Sequence, residues 1–164
     1  MSDFALRPFR PEDWSQVWAI IEPVFRAGET YTFPRDISEI EAKRLWIELP
    51  TETIVAATEP GEILGTYYIK PNQMGPGNHV ANCGYIVGEK ARGRGLAKAM
   101  GLHSQDLARD LQFKAMQFNA VVSTNAAAIK VWEKCGMETL TKLPRAFDHP
   151  RHGLVDALIM YKWL

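Results

Sequence analysis

The sequence predicts a mixed α/β fold, with a mixed β-sheet of six or seven strands and helices on both faces. Residues 53–57 and 63–69 have the composition of strands and flank the turn signal Glu59-Pro60-Gly61-Glu62, which indicates an antiparallel hairpin. Farther along, a helical pattern separates two strand-like segments, residues 80–87 and 115–122. This order predicts a helical crossover between strands of the same sheet. An antiparallel hairpin followed by crossovers makes the sheet mixed.

The first half of the chain predicts one further strand and two helices. Alternation over residues 4–10 predicts the first strand. Residues 11–28 follow as a helix that begins with a proline and ends with a glycine, and residues 29–34 form an aromatic-rich loop. A second helix is expected over residues 38–49, because a serine stands at its N-cap and a glutamate three positions later. The residues that should face the core from the first helix are Trp14, Val17, Trp18, Ile21 and Phe25.

The second half predicts two helices and three strands, of which the strand at 115–122 has been described. A loop rich in Gly and Pro, residues 71–78, precedes the strand at 80–87. Apolar residues at intervals of three or four predict a helix over residues 93–111. Another helix is expected over residues 125–134, stopped by a glycine. The tail alternates like a strand up to Leu143 and again from Leu154 to Tyr161.

Length and composition describe one domain, residues 1–164, without a repeat or a linker. The 19 basic and 19 acidic side chains balance, which argues against a nucleic-acid partner. No apolar run is long enough to cross a membrane, and the N-terminus, Met1 to Phe4, lacks the profile of a signal peptide, so a cytoplasmic protein is expected. Cys83 and Cys135 have no metal-ligand spacing, and no metal is expected.

A glycine-rich segment at the start of the predicted helix over residues 93–111 carries the most specific chemical signal. It reads Arg92-Gly93-Arg94-Gly95-Leu96-Ala97. Free amides at a helix N-terminus, with glycines that let the backbone approach, form a site for phosphate oxygens. A P-loop is excluded because Gly-Lys-Ser/Thr is missing. A dinucleotide-binding fold is excluded because Lys98 stands where a third Gly or Ala is needed.

The spacing Arg-x-x-Gly-x-Ala in this segment resembles the pyrophosphate loop of the GNAT acyltransferases, which bind acetyl-CoA. A second segment is similar to the following helix of that family. It has Asn125, Ala128, Trp132 and Gly136-Met137 where the family usually has Asn, Ala, Tyr and Gly-Phe. The two motifs occur in the correct order on the predicted strand-helix-strand-helix. The resemblance implies a GNAT fold, whose sheet splays at its centre.

The resemblance also implies acetyl-CoA as the cosubstrate. The splayed strands leave unpaired main-chain groups that hold the pantetheine arm as an extra strand would, and one amide faces the thioester oxygen. Trp132 departs from the family pattern, because the usual residue is a tyrosine that protonates the departing thiolate and an indole cannot act as that acid. A tryptophan at position 132 fits a role in the hydrophobic core equally as well as it fits a contact with the cofactor. The implied cofactor residues are Ile86 and Val87 for the arm, Arg92, Gly93, Arg94, Gly95, Leu96 and Ala97 for the pyrophosphate, and Asn125 and Trp132 near the arm.

Two asparagines are the candidate residues for the acceptor. The segments Ile69 to Asn72, His79 to Tyr85 and Phe118-Asn119 are similar to fungal acetyltransferases that act on proline analogues such as azetidine-2-carboxylate. In that family an asparagine on each splayed strand lies at the substrate site, and the matching residues are Asn82 and Asn119. An amide is a poor base, so the expected role is to orient a small amine and its carboxylate.

Glu29 is the alternative candidate for accepting the amine proton. Thr32-Phe33 resembles a pair that lies near the acceptor amine in phosphinothricin acetyltransferases, and Glu29 is close to it in sequence. A carboxylate there can accept the proton directly or through water. A helix-terminal acid in solvent explains Glu29 equally well.

These features predict an acetyl-CoA-dependent N-acetyltransferase in which the acceptor amine attacks the thioester directly. The expected acceptor is a small amino acid or a cyclic or toxic analogue, which implies a role in detoxification. Two alternatives stay open. One is a peptide or protein N-acetyltransferase, because the many acidic residues before position 62 would attract basic peptides. The other is a non-catalytic module that binds acyl-CoA, and the missing tyrosine at position 132 is the feature that favours it. Each of these hypotheses leaves a homodimer open.

Overall fold

The computed structural model describes residues 4–164. Its strands are β1 (Ala5–Pro8), β2 (Glu52–Ala57), β3 (Ile63–Pro71), β4 (Val80–Val87), β5 (Ala115–Val122), β6 (Glu138–His149) and β7 (Gly153–Trp163), and its α-helices are α1 (Trp14–Ala27), α2 (Glu39–Lys43), α3 (Leu96–Asp110) and α4 (Ala126–Lys134). The strands form one sheet in the order β1-β2-β3-β4-β5-β7-β6. Among the strands of residues 4–164, only β4 and β5 pair in parallel, so the predicted mixed sheet is confirmed.

Different helices cover the two faces of the sheet. In β2, Val55 belongs to the same core cluster as Ile21 of α1, whereas its neighbour Ile54 belongs to a cluster with Leu96 of α3. Successive side chains of a strand point to opposite faces. Helix α1 and helix α3 therefore lie on opposite faces, as the sequence predicts. Helix α4 lies on the face of α3, because Trp132 shares a cluster with Ala108.

The first two helices are largely as predicted, with a change in the second. Helix α1 ends at Gly28, whose φ is +67°, and Ser38 caps α2 by accepting a hydrogen bond from the Glu41 amide at 3.2 Å. The helical conformation continues to Glu48, in agreement with the predicted helix to Leu49, but its hydrogen-bond pattern changes from α to π over Arg44–Glu48. Trp46 within the π-helical turn is fully buried.

Helix α3 begins three residues later than the sequence predicts. Gly93 and Gly95 have φ of +76° and +78°, which lie in the left-handed region outside a right-handed helix. They therefore belong to the loop before α3, and Gly95 occupies the N-cap position. The glycines still precede a helix N-terminus, which is the feature that the phosphate-site prediction needs.

The C-terminal hairpin is longer than predicted. Strand β6 continues past Leu143 to His149, and β7 begins one residue before Leu154 and runs to Trp163. A register irregularity lies between Leu143 and Phe147, and such an irregularity interrupts the period-two pattern that identifies a strand in sequence. The first three residues, on which the signal-peptide prediction partly rests, lie outside the described residues. Within residues 4–164, no helix has the length and apolarity to span a bilayer.

Candidate active site

A split between β4 and β5 forms the centre of the site. The two strands pair only at Val80 with Ala115 and at Ala81 with Met116, and they diverge beyond that point. The divergence leaves one long edge of β4 without a strand partner. In a sheet this is the place where an extended ligand can add main-chain hydrogen bonds.

The pairing of β4 with β3 decides which main-chain groups face the split. The Gly88 amide donates to Leu64 O at 2.8 Å, and Val80 O accepts from the Asn72 amide at 2.7 Å, so both residues face β3. Main-chain groups alternate in direction along a strand. The amides and carbonyls of Cys83, Tyr85 and Val87 therefore face the split, and those of Ile86 face β3.

This alternation modifies the prediction for the pantetheine arm. Val87 has its main chain on the open side, in agreement with a role there. Ile86 pairs with Thr66 of β3, and its side chain is buried in the core beside Tyr68. The main chain of Ile86 therefore cannot reach a ligand in the split. The main chain of the preceding residue, Tyr85, can do so instead.

A cleft of about 650 Å³ occupies the split. Residues of β3, β4, β5, the loop after α1 and helix α4 line it. The sequence predicts ten cofactor residues and three acceptor residues. Those that line the cleft are Glu29, Asn82, Ile86, Val87, Arg92, Asn119, Asn125 and Trp132. Gly93, Arg94, Gly95, Leu96 and Ala97 follow Arg92 directly and lead into α3.

The glycine loop is built for close approach to a ligand. A Cβ added at Gly93 or Gly95 would meet no atom within 4 Å, so the space beside both glycines is open. Leu96 anchors the loop, because its side chain is buried against Met100 in the core. The first amides of α3 have no acceptor within the helix and carry its positive dipole end. This combination suits an anionic group such as a pyrophosphate.

Asn125 and Trp132 each have a structural role in addition to lining the cleft. Asn125 is the N-cap of α4, and its Oδ1 accepts a hydrogen bond from the Ala128 amide at 3.2 Å. Trp132 is 8% exposed and packs against Tyr85, with ring centroids 4.5 Å apart. Gly101 of α3 makes room for it, since a Cβ there would lie 3.1 Å from the indole ring. The structure thus supports both interpretations of Trp132.

Hydrogen bonds made by side-chain amides join the two splayed strands on the face of α1, and one of these bonds ends on a main-chain carbonyl. Asn82 Nδ2 donates to Gln117 O at 3.0 Å, and Gln117 Nε2 donates to Asn119 Oδ1 at 2.9 Å. Asn119 Nδ2 in turn donates to Asn72 Oδ1 at 2.7 Å. The two predicted asparagines therefore belong to one network. Gln117 and Asn72 are members that the sequence did not identify as site residues.

Asn119 reaches the cleft because β5 is irregular at this point. The pairing of β5 with β7 shifts register between Phe118 and Val121, so Asn119 and Ala120 have no paired partner on β7. Asn119 is exposed, whereas Asn82 is 9% exposed. The network consequently has a buried asparagine on β4 and an accessible asparagine on β5.

Glu29 lies in the loop after α1, lines the cleft and has an ionic partner. Its Oε1 is 2.8 Å from Arg151 Nη2, and Arg151 belongs to the turn between β6 and β7. The ion pair connects the loop after α1 to the tip of the C-terminal hairpin. Glu29 therefore lines the cleft as a paired carboxylate, and its Oε2 is the oxygen that the ion pair leaves open for a proton-accepting role.

Aromatic side chains form the wall of the cleft next to Glu29. Tyr31 donates a hydrogen bond to Tyr85 O, one of the carbonyls on the open side of β4, at 2.8 Å. Its ring stacks on Phe33 with centroids 5.7 Å apart. Burial raises the pKa of Tyr31 well above its ordinary value, so the hydroxyl stays protonated and can only donate this bond at neutral pH.

Cys83, the cysteine that lines the cleft, is not an activated nucleophile. It is 7% exposed, and burial raises the pKa of its thiol to about 12. A thiol with this pKa is protonated at neutral pH, and the thiolate is the reactive form. Among residues 4–164, no group of three or more His, Cys, Asp or Glu side chains is arranged to hold a metal ion.

Comparison with known proteins defines the class of this protein as an acetyltransferase. Residues 14–137 match the model of the Acetyltransferase (GNAT) family. This match spans most of the chain, and the chain belongs to the GNAT family. The family resemblance found in the two sequence motifs is thereby confirmed, and with it the enzyme class.

Individual relatives agree with this assignment. The chain is 33% identical over 148 residues to N-acetyltransferase aca1 of Schizosaccharomyces pombe, covering 80% of this chain and 71% of that protein. It is similar to the structure of a GCN5-related N-acetyltransferase from Kribbella flavida, with a TM-score of 0.94 and 36% identity over 99% of this chain and 98% of that one. A Sinorhizobium meliloti phosphinothricin acetyltransferase in complex with AcCoA shares the fold, with a TM-score of 0.86 and 18% identity over 99% and 89% of the two chains.

Proposed function

We propose that this protein uses acetyl-CoA to acetylate the amine of a small amino acid or of a cyclic or toxic analogue. The observation that carries the proposal is the amide network of Asn82, Gln117 and Asn119 beside the open edge of β4. It places neutral orienting groups next to the strand edge that suits a pantetheine arm. The name of the Schizosaccharomyces pombe relative, an N-acetyltransferase, supports transfer to nitrogen.

The residues of the split and of the glycine loop suit acetyl-CoA. The main chains of Cys83, Tyr85 and Val87 would bind the pantetheine arm, and the amides from Gly93 to Ala97 would bind the pyrophosphate. Arg92, which also lines the cleft, adds a positive charge at that end. When bound, acetyl-CoA supplies an acetyl group activated as a thioester.

The surroundings of the split favour direct transfer to the acceptor. Cys83 is protonated and buried, so it does not form a covalent acyl intermediate. Asn82 and Asn119 would hold the acceptor amine, and a main-chain amide on the open side of β4 would face developing negative charge. The proton of the acceptor amine would pass to water or to the carboxylate oxygen of Glu29 outside the ion pair, because the amides of the network are poor bases.

Aromatic side chains and an ion pair border the proposed acceptor end of the cleft, which is the end beside Asn82 and Asn119. Tyr31 and Phe33 cover it on one side, and the Glu29–Arg151 ion pair ties the loop after α1 to the C-terminal hairpin. An extended peptide would need an open groove here. The role in detoxification, the cytoplasmic location and the homodimer remain predictions that accompany this proposal.

A thiol-release assay across amine classes tests the proposal. With saturating acetyl-CoA, we expect azetidine-2-carboxylate or methionine sulfoximine to release free CoA thiol faster than an equal concentration of short peptides. The physical reason is the amide network of Asn82 and Asn119, whose neutral groups can orient a small amine and its carboxylate. Turnover confined to the peptides would favour the peptide alternative, and absence of turnover with every amine would contradict the proposal.

Replacing Asn119 by alanine tests the orienting role. We expect kcat with the best acceptor to fall about 30-fold, corresponding to about 2 kcal/mol of lost transition-state stabilisation. The Kd of CoA, measured by isothermal titration, should change less than about twofold, because the pyrophosphate loop is untouched. Asn78→Ala, an exposed asparagine in the loop before β4, is the matched control and should keep wild-type kcat. Equal losses of kcat and CoA affinity would mean that Asn119 has a different role.

A further inference from the structure

The charged side chains at the acceptor end of the cleft leave one positive charge uncompensated. Three residues with formal charges line the cleft: Glu29, Lys70 and Arg92. Glu29 is paired with Arg151, and Arg92 lies at the glycine loop. Lys70 has no carboxylate partner among residues 4–164, where the ion pairs are made by other side chains. The acceptor end therefore carries a net positive charge.

Lys70 stands beside the asparagines of the amide network. It lies on β3 directly opposite Asn82 of β4, and side chains of paired residues are on the same face of a sheet. Asn72, two residues later, accepts the hydrogen bond from Asn119. The ammonium group thus borders the same concavity as the two asparagines proposed to orient the acceptor amine.

The ammonium of Lys70 lies over an aromatic ring. Its Nζ lies 5.4 Å from the centroid of the Tyr68 ring, in a cation–π contact. Tyr68 is itself 7% exposed, and its ring packs directly over Gly84 of β4. The ring satisfies the charge only weakly, so all hydrogen-bond donors of the ammonium remain available to an anionic ligand.

We propose that Lys70 binds the carboxylate of the acceptor and so selects amines that carry a free carboxylate nearby. This inference rests on the proposed function, because it specifies the acceptor of the same site. A charge-assisted hydrogen bond from the ammonium to a carboxylate is stronger than a neutral one, and its loss discriminates against ligands without the charge. An acceptor whose carboxylate is converted to an amide loses this partner.

Lysine and acceptor variants together test the proposal. We compare Lys70→Met, which keeps the length of the side chain without its charge, with Lys70→Arg, which keeps the charge. Acceptors are azetidine-2-carboxylate, methionine sulfoximine and the carboxamide of each, at saturating acetyl-CoA. Lys70→Met should raise KM for the carboxylates about 10- to 30-fold with little change in kcat, as expected for loss of a charge-assisted bond. Lys70→Arg should stay within about threefold of wild type.

The carboxamides separate carboxylate binding from a structural effect. Wild type and Lys70→Met should have similar KM values for each carboxamide, because the charge has no partner there. Lys43→Met is the matched control, since Lys43 also lies over an aromatic ring, that of Trp14, but outside the cleft. It should leave every KM unchanged.

Failure of this inference can be told from failure of the proposed function. If wild type acetylates the amino acids but uses their carboxamides equally well, or if Lys70→Met leaves KM for the carboxylates unchanged, Lys70 does not bind the carboxylate. If Lys70→Met raises KM equally for carboxylates and carboxamides, the inference is overturned as well, because a structural role of Lys70 would then explain the loss. If wild type acetylates none of these acceptors, the proposed function and this inference fall together.

Discussion

Replacing Gly95 by alanine is expected to weaken CoA binding about 100-fold, a loss of about 2.7 kcal/mol. Gly95 caps α3 with a φ of +78°, a conformation that costs an L-residue about 1–2 kcal/mol. The added Cβ would also stand in the open space beside the loop, from which the pyrophosphate would approach. Isothermal titration with CoA measures the affinity, and thermal unfolding measures the strain separately.

Gly61→Ala provides a matched control for this prediction. Gly61 lies in the turn between β2 and β3, has a φ of +92°, and likewise has no atom within 4 Å of an added Cβ. It therefore carries comparable backbone strain at a distance from the cleft. We expect both variants to lose similar stability and only Gly95→Ala to lose affinity. Wild-type affinity in Gly95→Ala would show that the pyrophosphate binds elsewhere.

The glycine loop also illustrates what the sequence can predict about this fold. The order of motifs placed the loop between a strand and a helix, and the structure has it there. The start of α3 was predicted three residues early, because the helical spacing of apolar residues extends back to the loop while the left-handed φ of Gly93 and Gly95 does not appear in the sequence. The spacing of apolar residues predicts that a helix exists more reliably than it predicts where the helix begins.

The site was predictable residue by residue only where a motif fixed the position. Asn82 and Asn119 were identified by resemblance, and the structure brings them into one network. Their partner Asn72 is 47 positions from Asn119. Such a contact depends on the register of the sheet and on the irregularity of β5, and neither is encoded in local spacing.

The direction of main-chain groups was the part of the site that the sequence could predict least. The direction of the Ile86 and Tyr85 carbonyls depends on which residues of β4 pair with β3, and a shift of one position exchanges them. The hydrogen bond from Tyr31 to Tyr85 O likewise joins a loop to a strand 54 positions away. The sequence predicts an aromatic-rich loop over residues 29–34, and its rings both line the cleft and pack against the core.

Replacing Arg7 by methionine is expected to destabilise the fold by about 3 kcal/mol at pH 7, because it leaves a buried carboxylate without its charged partner. Arg7 donates hydrogen bonds to both oxygens of Asp13, at 2.7 and 2.8 Å. The Asp13 side chain is 5% exposed, and its remaining partner is the Arg10 amide. Denaturant unfolding of wild type and variant gives the difference in free energy.

The pH dependence of this loss identifies its cause. The hydrogen bonds from Arg7 lower the pKa of Asp13 below its ordinary value near 3.8. A carboxyl group with a lowered pKa in the folded state contributes stability above its unfolded pKa, and the contribution disappears as the pH falls through the folded value. The difference between wild type and Arg7→Met should therefore be complete at pH 7 and should shrink below about pH 4.

An exposed ion pair supplies the comparison for Arg7→Met. Arg109 and Asp106 are 2.8 Å apart on the surface of α3, with side chains 46% and 76% exposed. Arg109→Met should cost less than about 1 kcal/mol, because water replaces the lost partner. Adding Asp13→Asn to Arg7→Met should restore part of the stability, since a buried amide needs no counter-charge. If Arg7→Met costs no more than Arg109→Met, burial of Asp13 does not make its partner essential, and the anchoring of β1 to the turn before α1 must rest on main-chain pairing alone.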